Sequence, residues 1–223
     1  MSNSAVITTL GEAMLFMAPH AGGSVPSSTD TAYSDWRRWI QLGQQDAANR
    51  GFWRRLLIKG SLSITANSET ASLPSDFGKV NGIHALFVGD DDVDWNQANN
   101  DDGQKLFVYL DPTTAAWMVR FLGFTPTETT TGDLWYFYNP PKPVSDSDKL
   151  YLDGEMIGFY ALKEYFRKAR QFGSLDDCRI EYENRFSELL SLEVLPSPQE
   201  LASWGGYYAH RNTTERSYYA GRR

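Results

Sequence analysis

A single cysteine, Cys178, stands in a chain of 223 residues. That excludes an internal disulfide and any zinc site built from several thiolates. Only three histidines occur, His20, His84 and His210. None has a second ligand at metal spacing or a Ser or Cys partner in a nucleophile turn. There is no P-loop and no dinucleotide-type glycine fingerprint. No apolar run approaches the ~20 residues of a membrane span. Met1 to Gly22 lacks a basic n-region and is interrupted by Gly11, Glu12 and Pro19, so it does not read as a secretory signal. The expectation is a soluble protein, without a membrane partner, kept in a reducing compartment. Basic charge is also short. Lys and Arg number 21 against 28 Asp and Glu, a net charge of −7. This argues against a general nucleic-acid binder, which needs a basic face. A mildly acidic wall would still let a polyanion slide past without holding it.

Catalytic chemistry finds little to stand on. Glu181 with Glu183, and Asp176 with Asp177, are carboxylate neighbours in sequence, but on a helix each pair diverges. Cys178 lies on the apolar face of a helical pattern and reads as a structural thiol. Asp90-Asp91-Asp92-Val93-Asp94-Trp95-Asn96 resembles a calcium loop, yet Trp95 stands where glycine is needed and Asp101 where a glutamate should close the site. A solvated acidic loop is the simpler reading. No catalytic, cofactor or metal residue is assigned, and no cofactor is expected.

What the chain does have is aromatic residues: 12 Tyr, 12 Phe and 7 Trp. Large amphipathic rings are favoured where surfaces meet, so protein–protein contact gains weight. The organising stretch runs from Leu150 to Leu192, two helical patterns joined at Phe172-Gly173-Ser174. Asp153 is a candidate N-cap, Glu155 suits the first turn, and Gly173 is a candidate terminator. The first pattern carries two apolar stripes. Ile157, Tyr160, Ala161 and Tyr165 form one; Phe159, Leu162, Phe166 and Ala169 form the other. A helix apolar on two sides needs cover on both. The second cover is either another copy of the chain or a third helix of the same chain. In the second pattern Leu175, Cys178, Tyr182, Phe186, Leu189 and Leu190 share a face, Asp176 and Asp177 fall in the first turn, and Pro196 and Pro198 end it.

Elsewhere, residues 1–33 read as an extended arm, polar through Gly22 to Thr29 but apolar enough at Ala13 to Met17 to dock. Thr31 to Gly51 is helical in pattern, with Ser34 or Asp35 as cap and Trp36, Trp39, Ile40 and Ala47 at helical spacing. Arg37, Arg38, Arg54 and Arg55 make this the most basic region, a solvated face or a contact for an acidic partner. From Ser61 the period becomes two. Strands are expected at 61–65, 71–73, 80–88, 105–110, 116–124 and 133–138, with a turn at Asn67-Ser68-Glu69. The expected fold is α+β: a helical domain (34–60 and 150–193), made of an N-terminal helix and a C-terminal αα-hairpin, with an inserted antiparallel β domain (61–149). An extended C-terminal arm follows (194–223). In that arm Trp204, Tyr207, Tyr208, Tyr218 and Tyr219 alternate with Arg211, Arg216, Arg222 and Arg223, residue types that anchor interfaces.

The order of these elements resembles the head-to-tail connector adaptors of tailed bacteriophages. The opening helix from Ser34-Asp35-Trp36 to Trp53 carries it, with Leu73-Pro74-Ser75-Asp76-Phe77 and the strand Ile83 to Val88. Tyr138-Asn139-Pro140-Pro141-Lys142-Pro143, the helix around Tyr160-Ala161-Leu162, and Tyr182-Glu183-Asn184-Arg185-Phe186 complete it over residues 34–193. Leu152-Asp153 replaces the family's usual Leu-Pro before the long helix. The resemblance implies a structural virion protein, made in the host bacterial cytoplasm. It would form a ring of twelve copies beneath the portal and above a downstream tail or neck protein, with phage DNA passing through the lumen unread. Trp204, Tyr207, Tyr208, Arg211, Arg216, Tyr218, Tyr219, Arg222 and Arg223 would dock on the portal. Phe159, Leu162 and Phe166 would face a neighbouring subunit.

Two other readings compete. A tail or baseplate module could recognise a saccharide or host surface through Trp95, Trp117 and Trp135, unless these pack in a core. An enzyme with a discontinuous site is the third.

Overall fold

The computed structural model describes residues 7–79, 82–88, 93–95, 105–122 and 125–196. It is an α+β fold with four α-helices and two small antiparallel sheets. The chain forms two compact units. One is helical, made of residues up to Leu56 and Tyr138–Val194; the other carries both sheets, Leu57–Phe137, and includes Leu195 and Pro196.

In the helical unit α1 is Leu10–Met17, α2 is Thr31–Arg50, α3 is Gly154–Ala169 and α4 is Phe172–Leu192. Helix α3 is the centre, packed on each of the other three. Asp153 caps it as expected, its carboxylate accepting the Met156 N–H at 2.8 Å. Its end differs from expectation. Arg170 takes the left-handed conformation (φ 57°) and its N–H returns to the last turn. Gly173 therefore lies inside α4, which begins two residues after that cap. Asp176 and Asp177 fall beyond the first turn for the same reason. Asp30 holds the N-cap position of α2 without a side-chain capping bond, its carboxylate accepting from the Ser27 N–H instead. Ser34 sits within the helix, its hydroxyl bonded back to Thr31 O, and Asp35 pairs with Lys168.

Both stripes of α3 find cover within the chain except at Ala169, which is exposed. Tyr165 meets Trp36 and Trp39 of α2 edge-on, and Tyr160 meets Tyr182 of α4. Phe159 meets Phe16 of α1 at 5.2 Å and 87°. So part of the expected N-terminal arm is a docked helix, with Leu10, Ala13, Met14 and Met17 fully buried. Thr9 and Glu12 form a capping box at its start. Its backbone is held from outside as well: Leu10 N–H donates to Asp148 O (3.0 Å) and Gly11 N–H to Asp146 O (2.9 Å).

Residues 138–149, expected with the β insertion, run along α2. Prolines offer carbonyls but no N–H, so this strap must be received by side-chain donors. Gln44 donates to Pro141 O at 3.0 Å, Gln41 to Pro143 O at 2.6 Å and Arg37 to Val144 O at 3.3 Å. The Tyr33 hydroxyl reaches Asp146. These four residues form one stripe of α2 at helical spacing.

In the sheet unit, β1 (Leu57–Ile64), β7 (Thr130–Phe137), β3 (Ile83–Val88) and β4 (Val93–Trp95) make one sheet in that order. Strands β2 (Thr70–Ser72), β6 (Trp117–Leu122) and β5 (Lys105–Leu110) make the other. Period-two burial places Leu62, Ile64, Val119, Phe121 and Leu134 in the core. The turn before β2 holds Asn67 at φ 57°, a conformation asparagine tolerates. Leu73-Pro74-Ser75-Asp76-Phe77 has a packing role. The Phe77 N–H closes a turn on Pro74 O, its ring (3 % exposed) packs against Trp117 and Tyr136, and Asp76 accepts the Tyr136 hydroxyl at 2.7 Å.

Candidate assembly surfaces

The residues expected to meet a neighbouring subunit sit mostly inside the helical unit. Leu162 and Phe166 are 1 % and 7 % exposed, and Phe159 is half-buried beneath Phe16. Phe16 of α1 lies over Phe159, so at that position the cover is a helix of the same chain, the alternative to a second copy. The sequence signal of α1 was present as Thr9-Leu10-Gly11-Glu12, the spacing of a capping box.

A polar seam joins α2 to α4. Arg50 holds Glu183 through two hydrogen bonds of 2.9 and 2.6 Å, and its guanidinium lies 4.4 Å from the Phe186 ring centroid. Those bonds keep the Glu183 carboxyl below its ordinary range. The buried Tyr182 hydroxyl donates to Asp46 at 2.6 Å; burial first, and then that carboxylate, push its pKa up. Arg185 ties α4 back to the start of α3, reaching Asp153 at 3.4 Å and Glu155 at 3.8 Å. None of these pairs is legible in the sequence, because each joins positions thirty or more residues apart.

Two of the four neighbouring carboxylates have cationic partners. Glu183 belongs to Arg50, and Asp176 to Arg179 on its own helix. Burial, with Asp177 and Glu181 nearby, pushes the Cys178 thiol up, away from the reactive thiolate. In the sheet unit burial draws Lys79 down to about 8, and its ammonium lies over the Phe137 ring at 5.0 Å. Among the described residues no group of three or more His, Cys, Asp or Glu is placed to hold a metal. The acidic residues Asp90–Asp92 and Asp101 lie outside the described residues, as do His210 and the candidate portal anchors Trp204 to Arg223. No described helix is long and apolar enough to cross a membrane.

The sheet unit offers two features to a partner. Phe107, Leu110 and Leu122 are 57 %, 50 % and 41 % exposed on the β5–β6 ribbon. Separately, the chain leaves α4 and becomes fixed again at Pro196, which is buried and accepts a 2.7 Å hydrogen bond from His84 Nε2. Trp117 packs on Phe77, and Trp135 packs on the buried Ala85–Phe87 cluster. Both indoles have partners in the fold, which weakens their candidacy as saccharide platforms.

What these units define is a structural building block, held by apolar packing and cross-helix ion pairs, with side chains left over for contact with other chains. The sequence matches the family model described as SU10 adaptor protein over residues 6–218. The chain belongs to that family, a family of phage head–tail adaptors. It is therefore a structural adaptor of the bacteriophage virion. The match extends well beyond residues 34–193, taking in α1 and most of the C-terminal segment. No curated protein matches the chain.

Proposed function

We propose that this adaptor forms a ring of twelve copies between the portal and the next tail or neck protein, with DNA passing through its lumen. The match to the adaptor family over nearly the whole chain carries this reading. The net charge of −7 supports passage without retention of a polyanion.

In this reading residues 194–223 dock on the portal. Trp204, Tyr207 and Tyr208 are the anchors, Arg211 and Arg216 pair with portal carboxylates, and Tyr218, Tyr219, Arg222 and Arg223 extend the contact. The bond from His84 to Pro196 gives this segment a fixed root. The sheet unit, with its exposed Phe107 and Leu122, meets the downstream protein. Deleting Ala202–Arg223 and measuring co-sedimentation with portal rings tests the anchor. Loss of co-sedimentation with an unchanged circular dichroism spectrum is expected; undiminished binding would remove the anchor role.

A further inference from the structure

A closed ring needs two different faces of one chain that fit each other. The second stripe of α3 offers little, since Leu162 and Phe166 are buried and Phe159 lies beneath Phe16. The outward faces of α2 and α4 do. On α2, Leu42 is 39 % exposed and stands two residues from the fully buried Ile40, about 200° round the helix. On α4, Ile180 is 52 % exposed and stands two residues from the buried Tyr182, by the same geometry. Each helix thus carries an exposed aliphatic side chain on the side opposite its core face; α4 also exposes Leu192, at its C-terminal end.

The flanking charges left without an ion pair are of opposite sign, since Arg179 beside Ile180 is paired with Asp176 and Asp46, one turn after Leu42, with Arg50. Arg38 lies one turn before Leu42 and is exposed; Asp177 and Glu181 flank Ile180 and are exposed, with Asn184 one turn on. None of Arg38, Asp177 and Glu181 has an ion-pair partner among the described residues. Asp177 and Glu181 are also like charges four residues apart, an unfavourable spacing within one helix. A cation from outside the chain relieves it.

We propose that α2 of one copy packs its outward face on the outward face of α4 of the next copy. Leu42 meets Ile180 across the contact, and Arg38 lies between Asp177 and Glu181. The occupant of each face is a second copy of this chain, and the seam is heterologous, so it propagates and can close. Apolar contact at the centre with charges at the rim is the usual anatomy of such a contact. This rests on the ring reading above and assigns the surfaces that build the ring.

The test uses the full chain mixed with portal rings. In a Cys178→Ser background, Leu42→Cys and Ile180→Cys are introduced singly and together, and the assemblies are oxidised with copper phenanthroline. The double variant is expected to give a ladder of covalent multimers on a non-reducing gel, while each single variant stays uncoupled. A double variant that stops at dimers, or a single variant that couples as well, overturns the seam. If native mass spectrometry finds a multimer yet the double variant does not couple, the seam is wrong and the ring stands. If the unsubstituted chain forms no multimer with portal, both fall. Charge exchange gives a second readout. Arg38→Glu is expected to weaken assembly at least tenfold, and adding Asp177→Arg with Glu181→Arg to restore it. A triple variant no better than Arg38→Glu contradicts the pairing. Leu42, Ile180, Arg38, Asp177 and Glu181 are exposed and Cys178 is half-buried, so circular dichroism of each cysteine variant should match the Cys178→Ser background and that of each charge variant the parent.

Discussion

Gly158 of α3 lies directly beneath the ring of Phe16 in α1: a Cβ on Gly158 would stand 2.5 Å from Phe16 Cδ1. One turn earlier, a Cβ on Gly154 would collide with Ile7. The N-terminal segment can lie flat on α3 only because both positions lack a side chain.

From that relationship, Gly158→Ala should destabilise the protein by about 1–3 kcal/mol through overpacking. The sign is informative, because alanine in a helix interior is otherwise favoured over glycine by about 1 kcal/mol. Urea unfolding checks it; a stabilised variant would mean that α1 does not rest on this face.

A companion pair separates a docked helix from a loose arm. Met14 is fully buried and Leu15 is 65 % exposed. Met14→Ala should cost about 2–4 kcal/mol, by the cost of emptying a core site. Leu15→Ala should stay within about 0.5 kcal/mol. Equal effects in urea unfolding would contradict the docked helix.

Gln44 is fully buried and satisfied at both ends of its amide, donating to Pro141 O (3.0 Å) and accepting from Tyr151 N–H (2.9 Å). Gln44→Leu has a similar volume but removes both part-buried bonds and lets water reach the backbone groups only in part, a cost of about 1–3 kcal/mol. Thermal unfolding should show the loss. A neutral result would mean that water replaces the amide.

The strap also carries a pH signature. Asp148 accepts from the Ser145 hydroxyl (2.5 Å) and from the Ser145 and Val144 N–H groups, with the Ser145 bonds drawing it down most, to about 2 from 3.8. A carboxylate with a lowered folded-state pKa stabilises the fold fully above its unfolded value. That contribution is lost as pH falls from about 4 to about 2. Asp148→Asn should therefore melt below the parent at pH 7 and converge with it near pH 2. A constant gap in melting temperature across that range would contradict the assignment.

Much of this fold was legible in the sequence, and the misses have physical causes. The Asp153 cap and both α3 stripes follow from local chemistry. So does the alternation that places Leu62, Ile64 and Val119 in the core, since side-chain period is a property of neighbouring residues. What covered the second stripe was not legible, because Phe159 meets Phe16 from 143 positions away. Gly173 looked like the terminator; Arg170 took the left-handed position instead, three residues earlier. The strap was placed with the β insertion because its prolines read as extended chain, while the donors holding it are on α2. For the candidate site, the aromatic and arginine content of residues 204–223 is the ground of the portal-contact proposal, and those residues lie outside the described ones. The outward faces of α2 and α4 became visible only once burial separated Leu42 from Ile40 and Ile180 from Tyr182.

Whether the chain forms the proposed ring on the portal is decided by native mass spectrometry of the purified protein, alone and mixed with portal rings. A complex is expected in which adaptor chains match portal subunits one for one, twelve to a ring. A chain that stays monomeric and leaves the portal mass unchanged would contradict the proposal.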